Sequence, residues 1–370
     1  MRIAVDVKNL ALFHGGIAQF FAPLLAHWIA QRPQHEFILV GPPTDRWPLP
    51  TTNNWQRATI RWPDYLPRQL RHPVYDNVLF PRGLRSVDAD FVFTPYHDVR
   101  LPADTPSALM IHDTCIDELA EAYPRALRLY YVKTLERNLR HAAHVLTVSA
   151  SSRARVSERY GVAADRLHLV YNACHPDFLA AAPAADDVRA LRARLAGDRP
   201  LLFYPGGAEF RKNVGGLVGG YRGLCAARNV AAPRLVITGT PNAAWEAALA
   251  SLPGALRANV AFLGYLDNAA LKAHYLAADA VVYPSLCEGF GRVALECMAT
   301  GTPIACSDIG VMREVAGDYP CYFNPHDDDD IATQLQRALA QGRRPPTVDE
   351  RFTVERVREQ FLAVVDAVCR

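Results

Sequence analysis

The sequence contains no long hydrophobic run and almost no excess of charge of either sign. No stretch approaches the roughly 18 uncharged apolar residues of a membrane-spanning helix, and the short apolar run Arg2–Val7 lacks the cleavage site of a secretory signal. The 40 Lys and Arg residues nearly balance the 38 Asp and Glu residues. A dedicated nucleic-acid binder normally carries a strong basic excess, so the balance predicts a protein without nucleic-acid partners.

The sequence also lacks a CxxC pair, although it contains eight cysteines. Scattered cysteines argue against a zinc site and favour a reducing cytoplasm as the location. Hydrophobic residues make up 50% of the chain and charged residues 21%, which predicts a packed core and excludes wholesale disorder. At about 100–200 residues per domain, the 370 residues predict two domains or one large one.

Short apolar runs alternate with longer helical stretches along the chain, a pattern typical of parallel sheets covered by helices on both faces. The predicted strands are Arg2–Val7, Glu36–Val40, Phe91–Thr94, Ala108–Ile111, His144–Val148, Leu201–Tyr204, Arg234–Thr238, Val260–Leu263, Ala280–Tyr283 and Pro303–Cys306. The predicted helices are Ile17–Gln31, Ala126–Arg140, Ser152–Tyr160, Gly215–Ala227, Ala243–Leu252, Asn268–Ala277, Arg292–Thr300, Asp328–Gln341 and Val354–Val368. We therefore expect an α/β fold with two doubly wound sheets.

A change of composition marks the expected domain boundary. The stretch Leu179–Pro200 is rich in Ala, Asp and Arg and contains no strand pattern, so we predict a first domain over 1–178 and a second over 179–347. A final helical segment, within 348–370, follows the polar stretch Gln341–Pro346. The region Pro42–Arg85, rich in Pro, Trp and Arg, is predicted to consist mainly of loops.

The strongest candidate site lies in the segment VVYPSLCEGFGRVALECMATGTP at 281–303. A strand ends near Pro284, a tight loop holds Glu288–Gly291, and a helix begins near Arg292. The start of a helix presents backbone N–H groups and a partial positive charge, which suit a phosphate. Carboxylates such as Glu288 and Glu296 accept strong hydrogen bonds from sugar hydroxyls. The alternative is an ordinary loop-to-helix turn with two solvated glutamates.

Two further stretches follow predicted strands, where open parallel sheets bind their ligands. Arg211 and Lys212 come after the strand Leu201–Tyr204 and a glycine turn, and adjacent cations fit a diphosphate. The alternative is a pair of exposed surface cations. His112 directly follows another strand, although a lone histidine is more often structural or solvated.

The glycines Gly15 and Gly16 join the first strand to the first helix. They permit close approach of a ligand to the backbone, but they do not form the GxGxxG fingerprint of a dinucleotide site, and a flexible loop is the equal alternative. Asp88–Ala89–Asp90 resembles a metal-binding DxD, but it precedes a strand rather than following one. We therefore predict no metal site there.

Together these motifs resemble the retaining glycosyltransferases of family 4, which have the GT-B fold of two Rossmann-like domains facing across a cleft. The resemblance rests on Glu288 and Glu296 in EGFGRVALE, which match the family's E-x7-E motif. It is supported by FRKN at 210–213, GGI at 15–17, HD at 112–113 and FLGYLDNAALKAHYLAADAVVYPS at 262–285. It covers essentially the whole second half of the chain and scattered points of the first half.

The resemblance implies a role for each matching residue. The implied catalytic residues are His112, Glu288, Arg211 and Lys212, where the two cations hold the donor diphosphate and His112 contacts the donor sugar near the reacting carbon. The other implied donor-binding residues are Gly15 and Gly16 over the phosphate, Leu266 at the base, Gly289, Phe290 and Gly291 at the sugar and Glu296 at the ribose hydroxyls. The family usually needs no metal, and no cofactor is expected because the sugar nucleotide is a substrate. The resemblance also implies that the first domain binds the acceptor, that the second binds the nucleotide sugar, and that the last helix returns to the first domain.

One departure concerns Arg292 and Val293, where the family usually has apolar residues or proline. A cation in the first turn of a helix is disfavoured by the helix dipole. Arg292 is therefore expected to contact a donor phosphate or a different sugar substituent, and the departure bears on the identity of the donor sugar.

The resemblance implies transfer of a hexose to a hydroxyl of a glycan or lipid-linked glycan in surface polysaccharide biosynthesis. GDP-mannose is the preferred donor. The alternatives are a rhamnosyl or glucosyl donor, a GT-B epimerase or phosphorylase, and a non-enzymatic carbohydrate-binding relative.

Two zones that combine basic and aromatic residues suit an anionic membrane surface. They predict a peripheral position at the inner face of the cytoplasmic membrane. The alternative is that these residues form a solvated helix face. The zones are Arg125, Arg128, Tyr130, Tyr131, Lys133, Arg137 and Arg140, and Arg68, Arg71, Arg82 and Arg85.

Overall fold

A computed structural model describes residues 1–12, 15–226 and 232–369 of the chain. The chain divides into two compact units, which are described separately. Unit 1 comprises Met1–Ala173 and Glu355–Arg370, and unit 2 comprises Cys174–Val354. Unit 1 is thus built from two separate stretches of sequence.

The strands of the described residues all pair in parallel within their sheets. Those of unit 1 are β1 Arg2–Asp6, β2 Glu36–Gly41, β3 Trp55–Thr59, β4 Phe91–Thr94, β5 Ser107–Ile111, β6 His144–Thr147 and β7 Leu167–Leu169. Those of unit 2 are β8 Leu201–Tyr204, β9 Arg234–Ile237, β10 Val260–Phe262, β11 Ala280–Tyr283, β12 Ile304–Ser307 and β13 Cys321–Phe323.

The helices lie between these strands and cover them. They are α1 Lys8–Leu12, α2 Gly16–Gln31, α3 Arg68–Val74, α4 Phe80–Arg85, α5 Cys115–Glu118, α6 Arg125–His141, α7 Ala150–Tyr160, α8 Pro176–Leu179, α9 Ala185–Ala196, α10 Val214–Ala226, α11 Ala243–Leu249, α12 Gly254–Arg257, α13 Asn268–Ala277, α14 Arg292–Thr300, α15 Gly310–Ala316, α16 Asp328–Gln341 and α17 Val354–Val368. A π-helical segment, Tyr75–Leu79, joins α3 to α4. Among the described helices, none is both long and apolar enough for a membrane span.

The sheet of unit 1 has the order β3-β2-β1-β4-β5-β6-β7. Its central strands are buried on both faces, which is why they read as continuous apolar runs. Helix α17 packs on this unit through Phe361, whose ring lies 5.6 Å from Trp28 and 6.0 Å from Phe93. The Arg32 guanidinium also pairs with Asp366 on α17. The last helix is therefore part of the core of unit 1.

The sheet of unit 2 has the order β10-β9-β8-β11-β12-β13. Helix α10 carries a row of glycines that lets it lie very close to α16. A Cβ on Gly219 would come within 2.0 Å of the Asp328 carboxylate, and one on Gly220 within 2.2 Å of Ile331. Alanine at Gly220 would therefore force the two helices apart, whereas alanine at Gly219 would displace the Asp328 side chain, which explains glycines that otherwise weaken a helix.

The structure confirms each predicted strand to within one residue at either end. The predicted helices are also present, although α11 ends at Leu249 rather than Leu252, and the predicted end of α10 at Ala227 lies outside the described residues. The prediction that Pro42–Arg85 consists mainly of loops is wrong, because β3, α3, the π-helical segment and α4 lie within it. Strand β3 is half-exposed at the sheet edge, so it carries no continuous apolar run.

Candidate active site

The candidate site of unit 2 lies where the strand order reverses. Strand β8 is flanked by β9 and β11, so the connections after β8 and β11 leave the sheet in opposite directions. Ligands of open parallel sheets bind in the crevice beyond the strand ends at such a point. Arg211 and Lys212 follow β8, and Glu288 follows β11. The topology therefore brings together two predicted motifs that are far apart in the sequence.

These three side chains form one buried ionic cluster. The Glu288 Oε1 atom lies 2.6 Å from the Lys212 Nζ and 3.0 Å from the Arg211 Nη1. The Tyr283 hydroxyl donates to the same carboxylate oxygen at 2.8 Å and also bonds the Lys212 ammonium. Lys212 and Glu288 are each only 8% exposed. Lys212 and Glu288 are therefore buried charges and not solvated surface charges.

The cluster fixes the charge of Glu288. Burial alone would raise the pKa of Glu288, but the adjacent Lys212 and Arg211 outweigh it and hold the pKa at about 2. Burial lowers the pKa of Lys212, and Glu288 opposes that shift. Glu288 is consequently ionised at every physiological pH and acts as a hydrogen-bond acceptor rather than as a proton donor.

The loop after Glu288 depends on one glycine in a left-handed conformation. Gly291 has φ of +90°, and a Cβ there would lie 2.8 Å from the Met312 sulfur. Phe290 is buried against the ring of Phe352 at 5.4 Å. Helix α14 begins at the next residue, Arg292, so the positive end of its dipole lies at this loop. The loop conformation and the helix start together suit a negatively charged ligand.

Glu296 lies on α14, one turn beyond Arg292. Its Oε2 accepts a hydrogen bond of 2.6 Å from the Tyr275 hydroxyl, and its Oε1 lies 3.5 Å from the Arg292 Nη2. Burial raises the pKa of Glu296, and Arg292 opposes that rise. Arg292, the departure from the family pattern, therefore contributes to the charge balance of this carboxylate. Its predicted contact with a donor phosphate or sugar stays a prediction.

Sequence reasoning missed the residues that support the cluster. Tyr283 ends β11 and Tyr275 lies on α13. Both lie within segments that carry the resemblance, but the sequence alone assigns neither of them a role. Asn213 adopts a left-handed conformation with φ of +52°, and its side chain accepts from the Gly216 N–H and donates to the Pro325 carbonyl. The position of Tyr283 at a strand end was the one available signal. Leu266 lies half-buried just before α13.

In unit 1, His112 follows β5 and is buried. Its Nε2 lies 2.9 Å from the Pro95 carbonyl oxygen, which can only accept, so Nε2 carries the proton. Burial lowers the pKa of His112 to about 4. The imidazole is therefore neutral at pH 7 and presents Nδ1 as an acceptor.

Of the two glycines, Gly15 lies just before α2 and leaves open space on its side-chain side among the described residues. Gly15 has extended backbone angles and caps α2, which begins at Gly16. A Cβ at Gly15 would meet no atom of the described part of the chain within 4 Å.

Comparison with known proteins identifies the family to which the chain belongs. Residues 14–178 match Glycosyltransferase Family 4, and residues 190–351 match glycosyl transferases group 1. The O-antigen chain mannosyltransferase B of Escherichia coli is 31% identical over 346 residues, which span 92% of this chain and 84% of that protein. The chain belongs to the family 4 glycosyltransferases. The O-antigen chain mannosyltransferase RfbU of Salmonella typhimurium is 27% identical over 63% of this chain and 60% of its own.

Solved structures place this glycosyltransferase in the GT-B fold. A sucrose-phosphate synthase from Thermosynechococcus elongatus superposes with a TM-score of 0.70 at 21% identity, covering 100% of this chain and 96% of its own. WaaG, a glycosyltransferase involved in lipopolysaccharide biosynthesis, gives a TM-score of 0.67 at 17% identity, covering 98% and 95%. The predicted α/β class and GT-B fold are confirmed.

The buried imidazole of the glycosyltransferase predicts a pH-dependent loss of stability. In the unfolded chain His112 takes up a proton below about pH 6.5, whereas in the folded chain it stays neutral down to about pH 4. The free energy of unfolding therefore decreases as the pH falls from about 6.5 to about 4. Between pH 7 and pH 4, we expect wild type to lose on the order of 3 kcal/mol more unfolding free energy than His112→Asn, measured by urea denaturation.

The exposed His326 provides the control. His326→Asn should follow the wild-type pH dependence. Parallel curves for wild type and His112→Asn would show that the ring is not held neutral by burial.

Proposed function

We propose that this glycosyltransferase retains the anomeric configuration and transfers mannose from GDP-mannose to a hydroxyl of a glycan or lipid-linked glycan in surface polysaccharide biosynthesis. The mannosyl specificity is supported by the names of its relatives, the O-antigen chain mannosyltransferases. The observation that carries the proposal is the buried cluster of Arg211, Lys212 and Glu288 beside the start of α14.

The reaction requires stabilisation of a departing diphosphate. The bond between the anomeric carbon and the diphosphate oxygen breaks, and negative charge builds on that oxygen. Arg211 and Lys212 are held in place before the reaction, so they stabilise this charge without reorganisation. Glu288 orients both cations through one carboxylate oxygen, Oε1, and a carboxylate is a strong hydrogen-bond acceptor for sugar hydroxyls.

The acceptor hydroxyl attacks the anomeric carbon from the face that the diphosphate leaves. Its proton passes to the departing phosphate oxygen, which balances the reaction without a separate protein base. His112 is neutral and serves as a hydrogen-bond acceptor for a donor-sugar hydroxyl, not as a proton donor. Since Arg211 and Lys212 supply the positive charge, we propose that no metal ion or other cofactor takes part.

A donor screen tests the proposal. We expect GDP-mannose to raise the melting temperature of the protein more than UDP-, dTDP- or ADP-sugars do, since binding to the folded state stabilises it. Release of GDP should increase when a mannoside acceptor is added and should persist in EDTA. Loss of transfer in EDTA that Mg²⁺ or Mn²⁺ restores would refute the metal-free mechanism. Transfer from a different sugar nucleotide would refute the mannosyl assignment.

Peripheral membrane binding stays a prediction. Several of the cations that suggested it are engaged within the protein. Arg137 donates to the Asn77 side chain at 2.7 Å, Lys133 lies 3.4 Å from Glu136, and Arg71 lies 3.4 Å from Asp64. Liposome flotation with and without anionic lipid would test whether the remaining cations suffice.

A further inference from the structure

The connection between α16 and α17 contacts the candidate site although it contains none of the predicted site residues. Part of it appears in the sequence only as the polar stretch Gln341–Pro346. Within unit 2, residues 343–352 of this connection contact the C-terminal end of α14 and also the loop that precedes α14. Helix α14 carries Glu296 and begins at Arg292. The 343–352 segment therefore contacts the helix of the candidate site near both of its ends.

The main chain of the 343–352 segment bonds the C-terminal end of α14. The Arg344 N–H donates to the Gly301 carbonyl at 3.0 Å, and the Thr347 N–H donates to the Met298 carbonyl at 2.9 Å. Gly301 has φ of +68°, and a Cβ there would lie 2.1 Å from the Arg344 carbonyl oxygen. Glycine at position 301 therefore allows the segment to lie directly against the end of the helix.

The Arg343 side chain links α14 to α13. Its Nη1 donates to the Thr300 carbonyl at the end of α14, at 3.2 Å. Its Nη2 lies 3.0 Å from the carbonyl oxygens of Tyr275 and Ala278, at the end of α13. The last carbonyls of a helix have no partner within the helix, and a cation suits the negative end of its dipole. One guanidinium thus holds the ends of both helices together.

This link affects Glu296 because the carboxylate and its hydrogen-bond partner lie on different helices. Tyr275 on α13 donates to the Glu296 Oε2 on α14 at 2.6 Å, and both side chains are buried. The contact requires α13 and α14 to keep their positions along each other. A displacement of about 1 Å in an active site can cost on the order of 100-fold in rate. Arg343 therefore fixes the position of the Glu296 carboxylate through the two helices.

Phe352 supports the loop that precedes α14. Its buried ring lies 5.4 Å from the ring of Phe290 with an angle of 82° between the planes, an edge-to-face geometry that aromatic pairs favour. Phe352 is itself held, because its carbonyl accepts from the Cys174 N–H at 2.9 Å and the Arg351 guanidinium lies 4.8 Å from its ring. A fixed Phe352 therefore holds the loop residues Glu288–Gly291 through Phe290.

We propose that the 343–352 segment positions the donor site, with Arg343 fixing Glu296 for the nucleotide and Phe352 fixing the Glu288–Gly291 loop for the transferred sugar. Arg343 and Phe352 are positioning residues, since each acts through another residue and not through the substrate. This inference rests on the proposed function, in which unit 2 binds the sugar nucleotide. It extends that function by assigning the nucleotide and the sugar to two separate supports outside the motifs.

Arg343→Gln tests the support of the nucleotide. Arg343 is an exposed residue, so the variant should keep the fold. We expect the Kd for GDP and the Kd for GDP-mannose to rise together by about 10-fold, the effect of weakening one hydrogen bond to a charged group. Isothermal titration calorimetry measures both values. Arg337→Gln, at an exposed arginine on α16, should bind both ligands as wild type does.

Phe352→Leu tests the support of the sugar. We expect about 10-fold weaker binding of GDP-mannose and unchanged binding of GDP, because only the sugar contacts the loop. Adding Phe290→Leu should cause less than an additive further loss, since both changes remove the same ring contact. Phe323→Leu makes the same substitution at a buried phenylalanine on β13. It should lower the melting temperature without changing either Kd, which separates positioning from loss of stability.

A wild-type Kd for both ligands in Arg343→Gln or in folded Phe352→Leu would overturn the role of that residue. Equal weakening of GDP-mannose binding in Phe323→Leu would also overturn the inference, because loss of stability alone would then explain the effect. Failure of the wild-type protein to bind GDP or GDP-mannose would overturn the proposed donor and this inference with it. Normal binding by wild type and by both variants would overturn the inference alone.

Discussion

Lys212→Ala should lower the rate of sugar transfer by about 10²- to 10³-fold, the usual effect of removing one charge-stabilising group from a buried active site. The Lys212 ammonium lies at the switch point of unit 2, within 2.6 Å of Glu288 and only 8% exposed. Its charge is therefore poorly replaced by water when negative charge builds on the diphosphate. Steady-state release of the nucleotide diphosphate in the presence of acceptor measures the effect.

Lys133 is the matched control, because it is an exposed lysine on the surface of α6. Lys133→Ala should retain the wild-type rate, and Lys212→Arg should retain more activity than Lys212→Ala. Wild-type turnover in folded Lys212→Ala would remove this residue from the catalytic machinery.

The second large effect concerns stability. Glu288→Gln should lower the free energy of unfolding by about 3–5 kcal/mol, since removing one partner of a buried ion pair leaves the other charge uncompensated. Arg211 and Lys212 both lie within 3.0 Å of the Glu288 Oε1 atom, and the substitution removes the negative charge of that carboxylate. Because the pKa of Glu288 is lowered from 4.5 to about 2, its contribution is complete at neutral pH and is lost progressively as the pH falls from about 4.5 toward 2.

Urea denaturation at pH 7 measures this loss, with the exposed Glu355→Gln as the control. A double-mutant cycle with Lys212→Met isolates the pair. The double variant should be more stable than Glu288→Gln alone, because the buried Lys212 ammonium is then no longer left without its carboxylate, and only the partly exposed Arg211 keeps an unpaired charge. Additive losses in the cycle would show that the two groups are not coupled.

The architecture and the motif positions could be predicted because they depend on local patterns. Buried parallel strands appear as apolar runs, and Gly291 marks the turn before α14. The motifs at Arg211 and Glu288 could both be assigned to strand ends, and the parallel topology then brings them together. Local patterns failed at β3, because its sheet-edge position leaves it half-exposed.

The supporting polar contacts could not be predicted, because they join residues distant in sequence. Tyr275 reaches Glu296 across 21 positions, and Lys8 reaches Asp98 across 90. In the sequence Lys8 only interrupts an apolar run, and Asp98 carries no motif. Their chemistry becomes visible only when strand order places the ends of β1 and β4 side by side.

The position of α17 has a consequence for the order of folding during synthesis. Phe361 on this helix packs against Phe21, Trp28 and Phe93. The ribosome therefore releases all of unit 2 before the residues that finish the interior of unit 1. Domains normally fold as units, and the N-terminal one folds first during synthesis. Here unit 2 can complete its fold before unit 1. The aromatic face formed by Phe21, Trp28 and Phe93 in unit 1 stays uncovered until α17 has been synthesised.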